Sequence, residues 1–160
     1  MAASAFRVVR YDPTVKLQLQ QQTDFPISLA PSDRDAKVDD IVAAARDLAV
    51  TGQVRNLLDK HGAIYFQNLK LQDAHEFSKF AHAFGWLPHE DIGNPVRRTI
   101  LAKNVATANE GPNTQPVYPH NEFGLSPHYP AYVLFYCVSA PETGASRMSL
   151  EGNRGISDRS

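Results

Sequence analysis

The chain has 160 residues, 42% of them hydrophobic and 21% charged, with a formal net charge of −1 and a pI near 6.6. That balance fits one soluble globular domain of ordinary size. It excludes the clustered excess of Lys and Arg with which proteins bind nucleic acid or an anionic membrane surface, so neither partner is expected. The N-terminal MAASAFRVVRYDPT lacks the apolar core of about 7 residues that a secretory signal needs, and no window approaches the ~18 apolar residues of a membrane span. The sequence therefore predicts a cytoplasmic protein.

Residues 1–36 carry short apolar pieces (FRVV, VKLQL, FPISLA) interrupted by Pro13, Pro26 and Pro31, the pattern of strands and loops. From Val38 to about Lys60 the apolar residues Val38, Ile41, Val42, Ala45, Leu48, Ala49, Val54, Leu57 and Leu58 recur at helical spacing. Gly52 interrupts that segment and Gly62 lies beyond its end, so it forms one helix or two. GAIYFQNL (62–69) predicts a strand. DAHEFSKFAHAFG then places Phe77, Phe80, Ala81 and Phe84 on one helical face, with Asp73 as N-cap and Gly85 as the stop. Trp86 reads as a core anchor at the junction that follows.

Beyond Trp86 the texture turns to short extended runs and turn residues: RRTILAKNV (97–105), the loop NEGPNTQPVYP (109–119) and YVLFYCVSA (132–140). This half is expected to be mostly β. Cys137 is the sole cysteine, which rules out an internal disulfide, and its place within YVLFYCVSA predicts a buried, inert thiol. No internal repeat and no long linker divides the chain.

The candidate chemistry lies at His120 and Glu122. One residue separates them, so on extended backbone both side chains project from one face and offer an imidazole nitrogen and a carboxylate oxygen to a divalent ion. Two His and one carboxylate with open positions is the donor set of non-haem Fe(II) oxygenases. His75 and His82, a heptad apart on the Phe-rich helix, read as surface or interface residues, as do His61 and His89.

The order GAIYFQNL, FSKFAHAFGW, then a loop leading to PHNEFGLSPHYPAYVLFYCVSAPETG resembles the taurine dioxygenase and clavaminate synthase type (TauD/TfdA) of Fe(II)/2-oxoglutarate-dependent oxygenases over about residues 60–144. The resemblance implies an α+β chain in which N-terminal strands and helices pack on an incomplete double-stranded β-helix, or jelly roll. It implies Fe(II) and 2-oxoglutarate as cofactor and co-substrate, with His120 and Glu122 as metal ligands and a small molecule as substrate. By the same likeness Asn104, otherwise a strand-end or turn residue, and Tyr118, otherwise packed as an aromatic, become candidate substrate contacts.

Past Gly144 the family pattern asks for a second Gly and then a Thr that contacts 2-oxoglutarate, where this chain has Ala145 and Arg147. The family's third iron ligand, a His, and an Arg for the co-substrate lie farther downstream. Here the later histidine is His128, six residues after Glu122 and too close to be that ligand. The expectation is a C-terminally truncated domain: residues 1–144 as the N-terminal part of the oxygenase, and 145–160 as a polar, disordered tail without the third ligand. The alternative function for such a chain is an inactive remnant with at most a binding or interaction role. The sequence assigns no oligomeric state.

Overall fold

A computed structural model of the chain describes residues 5–9, 25–89, 98–108, 110, 118, 120, 121, 123 and 128–139. The chain divides into two compact units, with the boundary after Leu71. Among the described residues there are three α-helices and two small sheets, one of three strands and one of two, an α+β arrangement.

The first unit is built on β2 (Ile27–Pro31), which is buried along its whole length. It is the middle strand, with β1 (Phe6–Val9) antiparallel on one side and β3 (Ile64–Phe66) parallel on the other. A strand covered on both faces needs nearly continuous apolar side chains, and Ile27, Leu29 and Ala30 meet that need. The exception, Ser28, is 2% exposed, and its hydroxyl is satisfied by the Gln67 side-chain amide, which donates to it at 3.0 Å. The ring of Phe6 closes edge-on against that of Phe66 at 5.5 Å.

The parallel β2–β3 pair requires a crossover, and the periodic segment supplies it as two helices, α1 (Val38–Val50) and α2 (Gln53–His61). Asp39 and Asp40 occupy the first turn of α1, where carboxylates oppose the helix dipole, and Asp40 accepts the Lys37 backbone N–H at 3.1 Å. Ile41, Ala44, Ala45 and Leu48 form its buried stripe. Gly52 takes φ 73°, a left-handed conformation that breaks the helical run, so the two-helix alternative holds. Gly62 ends α2 at φ 74°, and a Cβ there would also meet the Phe25 ring at 3.3 Å, so conformation and space both disfavour a side chain.

In the second unit α3 (Ala74–Ala83) is capped as the sequence predicts. The Asp73 carboxylate accepts the backbone N–H groups of His75 and Glu76, each at 2.8 Å, and Glu76 reaches back to the Gln72 N–H at 2.7 Å. The Glu76 N–H, with a further contribution from that of His75, holds the Asp73 carboxyl below its ordinary range. Phe77, Phe80, Ala83 and Phe84 are buried, and Gly85 at φ 74° stops the helix.

Two expectations for the later chain change. The segment 132–139 pairs with no strand among the described residues; the described strands there are the hairpin β4 (Ile100–Ala102) and β5 (Val105–Ala106). The period of two survives in burial, because Tyr132, Leu134 and Tyr136 are half-buried while Val133, Phe135 and Cys137 are exposed. Ring stacking holds the inward face: Tyr132 lies on Trp86 at 4.1 Å, and Tyr136 on Phe77 at 5.0 Å. Cys137 falls on the outward phase of that alternation, so its thiol is exposed rather than buried. Trp86 is half-buried in a stack between Phe84 and Tyr132, an anchor as expected.

Among the described residues no helix is long and apolar enough to cross a membrane. The boundary at Gly144 and the tail 145–160, with Ala145 and Arg147, lie outside the described residues.

Candidate metal and substrate site

The β4–β5 hairpin and α3 position the first part of the site, all of it within the second unit. The hairpin reverses through Lys103 and Asn104, and Asn104 takes φ 55°, a left-handed conformation that Asn adopts more readily than most residues. Asn104 is thus the turn residue its sequence context suggests, and it is exposed.

Its side chain is tied to the helix. Asn104 Oδ1 lies 3.0 Å from His82 Nε2, while His82 Nδ1 lies 2.7 Å from the Ser78 carbonyl oxygen and 3.3 Å from Ser78 Oγ. Ser78 Oγ donates in turn to the Lys103 carbonyl at 2.7 Å. Ser78 is buried, so this contact fixes the turn to the helix from beneath. His82 is an interface histidine, as the sequence suggests, but its partner is the Asn104 candidate itself. A signal for this was present in the i, i+4 spacing of Ser78 and His82 on one helix; the join to Asn104 needs the tertiary fold.

The open end of the hairpin is closed by a carboxylate. Glu110 accepts the Thr99 backbone N–H at 2.7 Å and the Thr107 hydroxyl at 2.5 Å, while Arg98 donates to the Thr107 and Ala108 carbonyls at 3.3 and 3.1 Å. The Thr107 hydroxyl first, then the Thr99 donors, lower the Glu110 pKa from 4.5 to about 2. A carboxylate whose folded pKa lies below its unfolded one stabilises fully above the unfolded value and loses that contribution as pH falls through the folded one. The hairpin end is therefore expected to loosen between about pH 4.5 and pH 2, and Glu110→Gln to remove that acid transition. Acid titration of the Thr99 amide resonance checks it; an unchanged profile in the variant would count against the clamp.

The metal-motif residues stand as follows. His120 is exposed, and its Nδ1 donates to the Tyr118 backbone carbonyl at 2.7 Å. That bond places the Nδ1 proton and, in the neutral ring, puts the basic lone pair on Nε2. Tyr118 is 75% exposed, so its ring is not packed as an aromatic, and its described contribution is the carbonyl that orients His120. Glu122 lies outside the described residues, so the shared face of His120 and Glu122 stays a sequence inference. Next to it Phe123, at φ 58°, meets the edge of the His89 ring at 5.0 Å. His89 is half-buried in that contact rather than a surface residue.

Among the described residues no three His, Cys, Asp or Glu side chains cluster closely enough to hold a metal ion. The donors available by sequence are one imidazole with a fixed tautomer and one carboxylate, a set that fits two positions of an Fe(II) site.

The family model described as "Taurine catabolism dioxygenase TauD, TfdA family" matches residues 7–158 of the chain. A clavaminate synthase-like protein of Arabidopsis thaliana is 32% identical over 89 residues, which are 56% of this chain and 27% of that protein. The chain thus spans about a quarter of the length of the curated relative it matches. No solved structure matches it.

Proposed function

Since the chain belongs to the TauD, TfdA family of dioxygenases, we propose that it is an Fe(II)/2-oxoglutarate-dependent oxidoreductase, on the jelly-roll fold of that family, acting on a small molecule. The observation that carries the reading is the hydrogen bond from His120 Nδ1 to the Tyr118 carbonyl. Metal-binding histidines are characteristically fixed in this way, with the second ring nitrogen donating to a carbonyl or carboxylate so that ring orientation and tautomer are set in advance.

In this reading His120 Nε2 and the Glu122 carboxylate hold the metal. When bound, Fe(II) with 2-oxoglutarate supplies the oxidative chemistry that attacks an unactivated C–H bond. The chain's own contribution is orientation. Tyr118 keeps the His120 ring from rotating, which spares the entropy of ordering it when the ion arrives. Asn104, held at its turn by His82 and Ser78, offers a polar contact to the substrate.

The test is anaerobic titration of the folded chain with Fe(II) and 2-oxoglutarate, watching the weak visible charge-transfer band, then succinate release on admitting O2. Band and succinate together are the expected result. A folded sample that gives neither rejects the enzyme reading for this chain and leaves the inactive remnant in its place.

A further inference from the structure

We propose that His82 is a positioning residue for Asn104: the charge on its ring decides which atom of the Asn104 amide the turn presents to a ligand. The ligand-contact part rests on the reading of Asn104 given above, whereas the linkage between the two side chains stands on geometry alone.

The inner end of the network is invariant. A carbonyl cannot donate, so His82 Nδ1, 2.7 Å from the Ser78 carbonyl oxygen, carries a proton whether the ring is neutral or charged. Ser78 Oγ has already given its own proton to the Lys103 carbonyl at 2.7 Å, so it faces Nδ1 as an acceptor. What can vary is the state of Nε2, which lies 3.0 Å from Asn104 Oδ1 as the amide is placed here.

With the ring neutral, Nε2 is a lone pair, and the amide must turn its NH2 towards it; Oδ1 is then the atom left to a ligand, and it accepts. With the ring charged, Nε2–H donates to Oδ1, and the NH2 is left to a ligand as a donor. An amide has nearly the same shape after a half-turn about χ2, so the exchange leaves the packing of the turn unchanged. Asn104 is exposed while Ser78 is buried, so the fixed end of the network is inside and the variable end meets solvent. The turn thus reads a ligand hydroxyl or ammonium in one state, and a carboxylate or carbonyl oxygen in the other.

The titratable and charged groups on the elements packed together here are His75, Glu76 and Lys79 on α3, Lys103 in the turn, and Tyr132 and Tyr136 on the segment stacked against the helix side. Their charges form the background of the His82 titration. His75, the other imidazole of α3, is followed by its own resonances.

The experiment is NMR of the uniformly 15N-labelled full chain across the histidine titration range. The expected results are a neutral His82 protonated on Nδ1, and Asn104 side-chain NH2 resonances that move with the His82 midpoint. In Asn104→Asp the carboxylate accepts from the charged ring and cannot donate to the neutral one, so the chemical shifts of the His82 ring nitrogens are expected to differ from those of the unsubstituted chain. A neutral His82 protonated on Nε2, an Asn104 amide indifferent to His82, or His82 ring resonances unchanged in the variant overturns the proposal. Should Asn104→Asp fail to fold, the tautomer and the amide response of the unsubstituted chain decide. If these hold while the Fe(II) titration fails, the linkage stands and the dioxygenase reading falls; the converse result removes His82 from the mechanism and leaves the reading intact.

Discussion

His120→Ala is expected to weaken Fe(II) binding in the presence of 2-oxoglutarate by roughly two orders of magnitude or more, with the visible charge-transfer band lost at matched metal concentration. In the proposed site His120 and Glu122 are the donors, so removing the imidazole leaves a lone carboxylate, which grips a borderline ion poorly. Because His120 is exposed, truncating it opens no cavity in a core, and the circular dichroism spectrum is expected to be unchanged. That pairing of an intact fold with lost metal affinity separates a ligand from a structural histidine. Wild-type affinity in His120→Ala would remove the residue from the site.

Phe80→Ala has the largest expected effect on stability. Phe80 is 2% exposed at the centre of the buried face of α3, and its ring meets Phe84 edge to face at 5.3 Å. Truncating a buried Phe costs about 3–5 kcal/mol in lost transfer energy and in the cavity left behind. Against a typical domain stability of about 5–15 kcal/mol, much of the folded population is at risk. Equilibrium urea denaturation followed by helix signal measures it, with the midpoint falling and the slope retained. A loss below about 1 kcal/mol would mean that the aromatic cluster closes over the gap.

How much of this was legible in the sequence depended on how local each signal is. The helices were, because their stop and start signals act within a few residues: Asp73 caps, Gly85 stops, and Gly52 divides α1 from α2 through its own φ. The run YVLFYCVSA reads as an extended strand, whereas its described part, 132–139, alternates in burial but pairs with no strand among the described residues. Alternation tells which side chains share a face, yet whether a ladder forms depends on another strand being present, and among the described residues the contacts of this run are instead rings on Trp86 and Phe77. The same gap explains Cys137, whose apolar neighbours suggested burial although its phase points outward. For the site, the His-x-Glu spacing together with the flanking resemblance nominates His120 and Glu122, and with Glu122 outside the described residues their pairing stays a sequence inference. The Ser78–His82–Asn104 contact joins residues more than twenty positions apart through a turn, beyond what any periodicity encodes.

The parallel pairing of β2 with β3 also shapes how the first unit comes to be folded. Ile27 must find Ile64 across the whole of α1 and α2, so the sheet cannot be completed by neighbours in the chain. Closing so long a loop costs entropy before any ladder bond repays it. The two helices span that gap as compact rods, which return the chain to the start of β3 beside the start of β2. The β2–β3 register therefore joins parts of the chain that only the α1–α2 crossover connects, so the geometry of that crossover sets where the two strands can meet.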